Sequence, residues 1–266
     1  MMVRRALRIG AIGMLVAGAP AIAQTMMQHV DLTSPEMTTA ELTRAEVETV
    51  IAAATAERPA DLTGKKLSGL DLSGLDLSGA ILRAARLNKT KLQGTRLDRA
   101  ILDQAWLVEA DLRQASLRWA NVFAAQMQRA ILDGADLSGA RITADLTGSS
   151  LVRAMFVGAN LGADMKNQSM GMMRAILKSS NLERANLRNA DLSRVDLEFA
   201  SLAHADLSNA SLKGAQLAGA KLIAVTVTGA DFLDADLASA RLIAPVGLDN
   251  ARNFERARNL DRLLRE

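Results

Sequence analysis

The sequence predicts an all-β solenoid with short helical caps, and three observations support this. From Leu62 onward a large apolar residue returns at every fifth position, through Leu67, Leu72 and Leu77. From Ala80 onward a small residue stands two places before most of these positions, and Asp, Ser, Arg, Asn and Gly fill most of the others. Aromatic residues make up only 3% of the chain and tyrosine is absent. A core built on Leu and Ala in place of large rings indicates a narrow, regular interior.

A period of five fits neither the 3.6-residue period of an α-helix nor the two-residue period of a simple strand. It fits a coil with flat sides about five residues long, with a turn at each corner. Each side then points one small and one large residue inward, and stacked coils exchange backbone hydrogen bonds at the parallel-strand spacing of roughly 4.8 Å. The register places Leu112 and Leu187 in the core and Ser138 on the outside.

Many five-residue units follow the pattern A-(D/N)-L-x-x closely. The best matches are Ala110-Asp111-Leu112, Ala135-Asp136-Leu137, Ala159-Asn160-Leu161, Ala185-Asn186-Leu187 and Ala190-Asp191-Leu192. On these residues the chain resembles the pentapeptide-repeat family over residues 60–244. The resemblance implies a right-handed quadrilateral parallel β-helix with four pentapeptides per coil. About twenty residues per coil would give roughly nine coils and a rod near 45 Å.

Residues 1–23 have the features of a signal peptide. A basic start (Arg4, Arg5, Arg8) precedes an apolar stretch, and Ala21-Ile22-Ala23 stands before Gln24. The apolar stretch is too short for a spanning helix, so we expect no transmembrane segment after cleavage; an uncleaved amphipathic anchor is the alternative. The sequence therefore predicts a periplasmic or secreted protein. Without the three leader arginines, the 32 Lys+Arg fall to 29 and balance the 29 Asp+Glu.

Both ends of the predicted solenoid have cap signals. In residues 24–59, Thr43-Arg44-Ala45-Glu46 forms a capping box that predicts a helix over residues 44–54. Such a helix would cover the open end of the first coil, since repeat proteins need capped ends. Pro245 is expected to stop the repeat, leaving residues 245–266 as a C-terminal cap or tail. Leu248, Phe254 and Leu260 suggest the cap, with a helix over residues 255–264.

The five-residue register slips at the centre of the chain. After Ile142 the next large residues come one place early, at Leu146, Leu151, Phe156 and Leu161. Met165 and Met170 come one place earlier again, and Leu177 restores the original frame. We expect a local bulge near residues 171–173 within one continuous solenoid, residues 60–244.

The sequence offers no catalytic set. Only His29 and His204 are present and cysteine is absent, so zinc ligation is not expected. Asp recurs because the repeat places it, so the sequence predicts neither enzyme activity nor a cofactor. Five methionines gather near the centre, Met155, Met165, Met170, Met172 and Met173. Thioethers can bind Cu(I), but Met also fills irregular core gaps, which is the favoured interpretation.

Three functions follow as hypotheses. The first is a non-enzymatic structural or protein-binding scaffold of the cell envelope. The second is a DNA mimic acting on a topoisomerase, an activity known in the pentapeptide-repeat family. That activity needs a strongly acidic surface and a cytoplasmic address, which this sequence does not predict. The third is a periplasmic metal binder that uses the Met cluster. The balanced charge also argues against a nucleic-acid ligand.

A partner surface is predicted from apolar residues at outward positions. With twenty residues per coil, positions twenty apart should stack on one side. The outward positions beside one such column are unusually apolar: Ile81, Ile101, Trp119, Phe123, Phe199, Ile223 and Ile243, with Trp106 at the next corner. A row of exposed apolar side chains is typical of interaction surfaces. It predicts a protein partner or self-association, unless the N-terminal helix or the C-terminal tail covers it.

Overall fold

Four parallel ladders of backbone hydrogen bonds organise the protein, whose computed structural model describes residues 30–163 and 174–265. Each ladder joins residues twenty apart, so one coil takes twenty residues and has four sides. We name the sides by their first pairings: Asp61 with Ile81 (side 1), Lys66 with Arg86 (side 2), Asp71 with Lys91 (side 3) and Asp76 with Arg96 (side 4). Longer strands occur where β1 (Asn121–Gln126) pairs with β2 (Arg141–Asp145) and β3 (Lys221–Ile223) pairs with β4 (Arg241–Ile243).

Each five-residue unit A-(D/N)-L-x-x forms one side of the coil. The alanine and the leucine point inward, and Leu112 and Leu187 are almost completely buried. The predicted register is therefore confirmed at these two positions. The aspartate between them accepts the backbone N–H two residues on, as Asp136 does from Ser138 at 2.9 Å, which closes an Asx turn toward the corner.

The corner residue that ends a side has a positive φ at most corners. In the corner between sides 4 and 1, Gly79 has a φ of +69° and Arg99 one of +57°. Glycine adopts this left-handed conformation without a steric cost, whereas other residues do so at the expense of strain. The solenoid therefore carries outward-pointing side chains at its corners as well as on its sides.

The register slip predicted after Ile142 is confirmed. Leu146, Leu151, Phe156 and Leu161 are all buried, and Arg141 pairs with Asn160, nineteen residues away. The Ala175 N–H donates directly to the Leu161 carbonyl at 3.1 Å, so the ladder resumes at Ala175.

On side 1, Asn160 pairs with Asp191, which lies 31 residues further along the chain. Met165 and Met170 were expected to continue the register. Both lie outside the described residues, as do residues 171–173, where the bulge was expected.

The N-terminal cap agrees with its sequence signal. Helix α1 spans Pro35–Thr38 and helix α2 spans Arg44–Ala52, ending slightly before the predicted residue 54. The Glu46 carboxylate accepts the Thr43 N–H at 2.7 Å, and the Thr43 hydroxyl accepts the Glu46 N–H at 3.3 Å. Val47 of α2 is fully buried in the solenoid core. Helix α2 thus covers the apolar interior of the first coil.

The C-terminal end differs from the expectation. The five-residue repeat ends at Pro245 as expected, but the ladder continues beyond it to Leu264. 3₁₀ turns at Leu248–Asn250, Phe254–Arg256 and Leu260–Arg262 replace the helix predicted over residues 255–264. The last pairings are Thr226 with Val246, Asp231 with Arg252, Asp236 with Arg258 and Arg241 with Leu264. The final coil therefore has six-residue sides. Its extra residues Leu248, Phe254 and Leu260 pack against the core end, as a cap should.

Candidate interaction surfaces

The predicted row of apolar residues is split between opposite sides of the solenoid. Ile81 and Ile101 lie in the ladder of side 1, whereas Ile223 and Ile243 flank the ladder of side 3. The prediction of one continuous row was wrong because it counted twenty residues per coil through the centre. Arg141 pairs with Asn160, nineteen residues on, and Asn160 pairs with Asp191, 31 residues on, so every later position moves to another side.

The first group of predicted residues, which we call patch 1, consists of Ile81, Ile101, Trp119 and Phe123. The Trp119 side chain stands at the corner between sides 4 and 1 and is 62% exposed. Its ring lies across Gly139 of the next coil, where a Cβ would come within 2.5 Å of it. The Arg141 guanidinium lies 5.9 Å from the centre of the Phe123 ring, within the range of a cation–π contact. Patch 1 is thus apolar with a cationic edge.

The second group, patch 2, consists of Phe199, Ile223 and Ile243. The Phe199 side chain is 59% exposed and lies across Gly219 in the same way. Strands β3 and β4 pair Ile223 directly with Ile243. The Lys178 ammonium lies 5.7 Å from the centre of the Phe199 ring and 2.7 Å from the Glu198 carboxylate. Patch 2 therefore resembles patch 1 in composition but faces the opposite way.

The sequence analysis missed several residues that extend patch 2. Ala203, Ala224 and Ala244 are outward positions around it, and their small side chains keep this surface apolar. Val246 and Leu264 of the last coil are 54% and 49% exposed beside it. The unusual run of outward alanines was the sequence signal that pointed here.

Trp106 belongs to neither patch. It lies on side 2, where it pairs with Arg86 and Gln126, and it is half-buried. The N-terminal segment packs on the same side: the Asn88 amide donates to the Met37 carbonyl at 3.2 Å, and Glu36 forms an ion pair with Arg86 at 2.8 Å. The N-terminal segment therefore covers part of side 2.

Many charged side chains of the solenoid form ion pairs between successive coils. Lys91 lies 3.5 Å from Asp71, and Arg96 lies 3.0 Å from Asp76, each pair twenty residues apart. The hydrogen bonds from Ser73 lower the pKa of Asp71, so this carboxylate is ionised and paired. Within residues 30–163 and 174–265, no group of His, Cys, Asp and Glu side chains could hold a metal ion.

Asp196 differs from the other aspartates of the ladders. It is almost completely buried, and this burial raises the pKa of its carboxyl group above the ordinary value. The Glu198 N–H donates to it at 3.0 Å. Because this hydrogen bond closes a turn of the coil, we assign the carboxylate a structural role.

Of the five clustered methionines, only Met155 lies among the described residues. Met155 pairs with Asp136 on side 4 and is 39% exposed, so it is not a core residue. The core interpretation was therefore wrong for Met155. The other four methionines, Met165, Met170, Met172 and Met173, lie outside the described residues. Among the described residues, no helix is long and apolar enough to cross a membrane.

Comparison with known proteins agrees with this architecture. The family model described as pentapeptide repeats (8 copies) matches residues 60–99, 91–125, 110–144, 123–163, 175–214, 190–229 and 215–243. No curated protein matches the chain. The matches leave out residues 164–174.

Several solved structures are similar. HetL of Nostoc sp. strain PCC 7120, involved in heterocyst differentiation regulation, is 29% identical, with 80% of this chain and 95% of HetL covered and a TM-score of 0.40. QnrB1, a plasmid-mediated fluoroquinolone resistance protein, is 14% identical, with 74% and 89% covered and a TM-score of 0.40. A pentapeptide repeat protein of the Arabidopsis thaliana thylakoid lumen is 23% identical, with 63% and 68% covered and a TM-score of 0.15. Since the family model covers well over half of the chain, this protein belongs to the pentapeptide-repeat family.

Proposed function

We propose that this protein is a non-enzymatic scaffold of the cell envelope that binds a protein partner through patch 1 and patch 2. The observation that carries the proposal is the placement of these patches. Each presents an exposed aromatic ring with neighbouring isoleucines on a solenoid whose other outward positions are mostly polar. Apolar surfaces of this kind, centred on aromatic residues, are typical of protein interfaces.

The rigid core supports a scaffold role. Each coil is joined to the next by hydrogen bonds on all four sides, so the two patches are held at a fixed separation. The pentapeptide-repeat fold is right-handed, and we propose the same hand for this solenoid. A protein with two patches on opposite sides could join two partners, or two copies of itself.

Location in the periplasm or outside the cell is proposed from the leader alone. Removal of residues 1–23 would leave a chain that begins at Gln24. N-terminal sequencing of the protein from fractionated cells tests this: Gln24 as first residue in the periplasm or medium is the expected result. Intact Met1 on soluble cytoplasmic protein would contradict the proposed location.

Two double variants test the binding function. Trp119 and Phe123 are replaced with Ser to disrupt patch 1, and Ile223 and Ile243 are replaced with Ser to disrupt patch 2. The matched control replaces Ile131 and Val152, which are apolar and outward on side 3 but belong to neither patch.

Mass by light scattering and capture from an envelope extract provide the measurements. We expect the wild type and the control to self-associate or retain the same partner, and at least one patch variant to lose it. A monomeric wild type that captures nothing the patch variants lose would contradict the proposal.

Neither alternative function gains support from the described residues. A DNA mimic needs continuous negative charge, but the aspartates of successive coils are interleaved with cations such as Lys91 and Arg96. A methionine metal site would need several thioethers close together, and Met155 alone is described.

A further inference from the structure

A depression of about 510 Å³ lies along side 4 and the corner that joins it to side 1. Arg96 and Arg99 of one coil and Arg118 of the next line it, together with Gly79, Asp98 and Trp119. The lining thus contains three guanidinium groups and one carboxylate. Lower in the same corner stand Gly139, Gly158, Asn189 and Asn209, which are uncharged. The corner residues of these later coils are therefore uncharged, and the nearby Arg188 is paired with Asp206 at 3.2 Å.

The single carboxylate of the lining is already occupied. Asp98 Oδ1 accepts the Ser116 hydroxyl in a short hydrogen bond and the Arg118 backbone N–H at 3.1 Å. Both donors hold the carboxylate against the ladder of side 4. Asp98 therefore orders the wall of the depression without neutralising the guanidinium groups through an ion pair within 4.0 Å.

The Arg99 guanidinium has no hydrogen bond or ion pair within the described residues, although the side chain lines the depression. A guanidinium group has five N–H donors in a planar fork that matches a phosphate or carboxylate. The corner residue before it is Gly79, where even an added Cβ would have no atom within 4 Å. Open space and unused hydrogen-bond donors therefore occur together at Arg99.

The other two arginines can exchange their present partners for a ligand. Arg96 lies 3.0 Å from Asp76, and Arg118 lies 3.6 Å from Asp136. Both arginine side chains are more than half exposed. Asp76 is half exposed as well, and an ion pair exposed on both sides contributes little to stability, so an incoming oxyanion can replace Asp76 at small cost. Asp136 is only 17% exposed, but it keeps the Ser138 N–H as a donor when Arg118 turns to a ligand.

Trp119 closes one end of the depression. Corner residues twenty apart are neighbours across the ladder spacing of roughly 4.8 Å, so Trp119 follows Arg99 directly. Its ring is held against Gly139 on one face and is 62% exposed overall. An exposed indole beside guanidinium groups can stack on a sugar or base while the arginines bind the attached phosphate.

We propose that this depression binds a phosphate ester carried on a ring, such as a sugar phosphate or a nucleotide. Arg99, with Arg96 and Arg118, binds the phosphate, and Trp119 contacts the ring. The inference does not depend on the proposed scaffold function, and its test leaves the apolar side chains of patch 1 unchanged.

Tryptophan fluorescence provides the assay. The chain has two tryptophans, so Trp106→Phe leaves Trp119 as the single reporter. In this background the protein is titrated with glucose 1-phosphate, adenosine monophosphate, inorganic phosphate and glucose. We expect saturable binding of at least one phosphate ester, weaker binding of inorganic phosphate, and no binding of glucose. The two esters distinguish a sugar ring from an aromatic base.

Arg99→Gln is the test variant and Arg153→Gln is its matched control. Both arginines are exposed corner residues with a φ of +57°, but Arg153 lies in the corner between sides 3 and 4. We expect Arg99→Gln to weaken binding about tenfold or more, because it removes charge-assisted hydrogen bonds. Arg153→Gln should leave affinity within about twofold, since its charge lies at another corner.

Three results would overturn the proposal. One is the absence of saturable binding for both esters. Another is an equal loss of affinity in both variants, which would indicate non-specific attraction. The third is an affinity for inorganic phosphate equal to that for the esters, which would exclude the contact with Trp119. Circular dichroism spectra of both variants check that the solenoid is intact.

Discussion

The stacking of Trp119 on Gly139 leads to a prediction that compares two glycines of one corner. Gly79 and Gly139 have nearly identical φ values of +69° and +68°. A Cβ at Gly79 would meet nothing within 4 Å, whereas at Gly139 it would lie 2.5 Å from the Trp119 ring. Gly79→Ala therefore changes backbone strain alone, and Gly139→Ala must also displace the ring.

The size of the second effect can be worked out from burial. Trp119 is 62% exposed, so it buries somewhat over a third of the roughly 250 Å² of a large aromatic side chain, or about 95 Å². At 25 cal/mol per Å² this corresponds to about 2.4 kcal/mol as an upper bound, since the ring keeps some contacts after moving. Alanine at positive φ costs about 1 kcal/mol at either site. We expect Gly139→Ala to lower the free energy of unfolding by about 1–2 kcal/mol more than Gly79→Ala.

Urea unfolding of both variants, in the wild type and in a Trp119→Ala background, measures this difference. The excess cost of Gly139→Ala should vanish once the ring is absent, because the two residues act through one contact. Equal costs of the two substitutions in the wild type would refute the reasoning. So would an excess that persists without Trp119.

Three further predictions concern stability. Leu112→Ala and Leu187→Ala should each lower the free energy of unfolding by roughly 2–5 kcal/mol, whereas Ser138→Ala should cost under about 0.5 kcal/mol; urea melts that show equal tolerance would contradict the register. Thr43→Ala should cost about 1 kcal/mol by removing the capping box of α2, also measured in urea. Burial raises the pKa of Asp196 above its unfolded value, so the native state holds this proton more tightly. Stability should therefore fall as pH rises from the unfolded pKa through the folded one. Asp196→Asn should lack this fall in a pH series of unfolding midpoints.

The sequence could predict the coil because every side needs the same residue types at the same positions. A buried leucine, a small residue two places before it and an Asx turn recur at Leu112 and again at Leu187. The early arrival of Leu146 likewise revealed the short coil. The capping box at Thr43 was visible because its hydrogen bonds are local in sequence.

The sequence could not predict which side of the solenoid carries each residue of the C-terminal half. Periodicity shows that a residue is buried, but it does not show which side of the coil carries it. Met165 and Met170 come close to the expected five-residue spacing, so the register predicted from the sequence runs on through them. In the structure the Ala175 N–H donates to the Leu161 carbonyl, and the ladder partners Asn160 and Asp191 are 31 residues apart. This is why the predicted row became two patches.

The final coil had a sequence signal that the five-residue search missed. Ala251-Arg252-Asn253 and Ala257-Arg258-Asn259 repeat at a spacing of six. Asn253 and Asn259 take the positive-φ conformation and donate to Asp231 and Asp236 of the preceding coil at 2.8 and 2.7 Å. A period of six does not fit the five-residue repeat, so a helix was expected over residues 255–264.

The pairing of Ser150 with Asn181 is the central claim on which the separation of patch 1 and patch 2 depends. The chain has no cysteine, so a Ser150→Cys and Asn181→Cys variant can form only the new disulfide. Neighbouring ladder positions lie roughly 4.8 Å apart, which suits the bond. The control combines Ser150→Cys with Asn186→Cys, on side 4. After oxidation, mass spectrometry should find an intramolecular disulfide in the first variant and free thiols in the control. A disulfide in the control with none in the first variant would contradict the account.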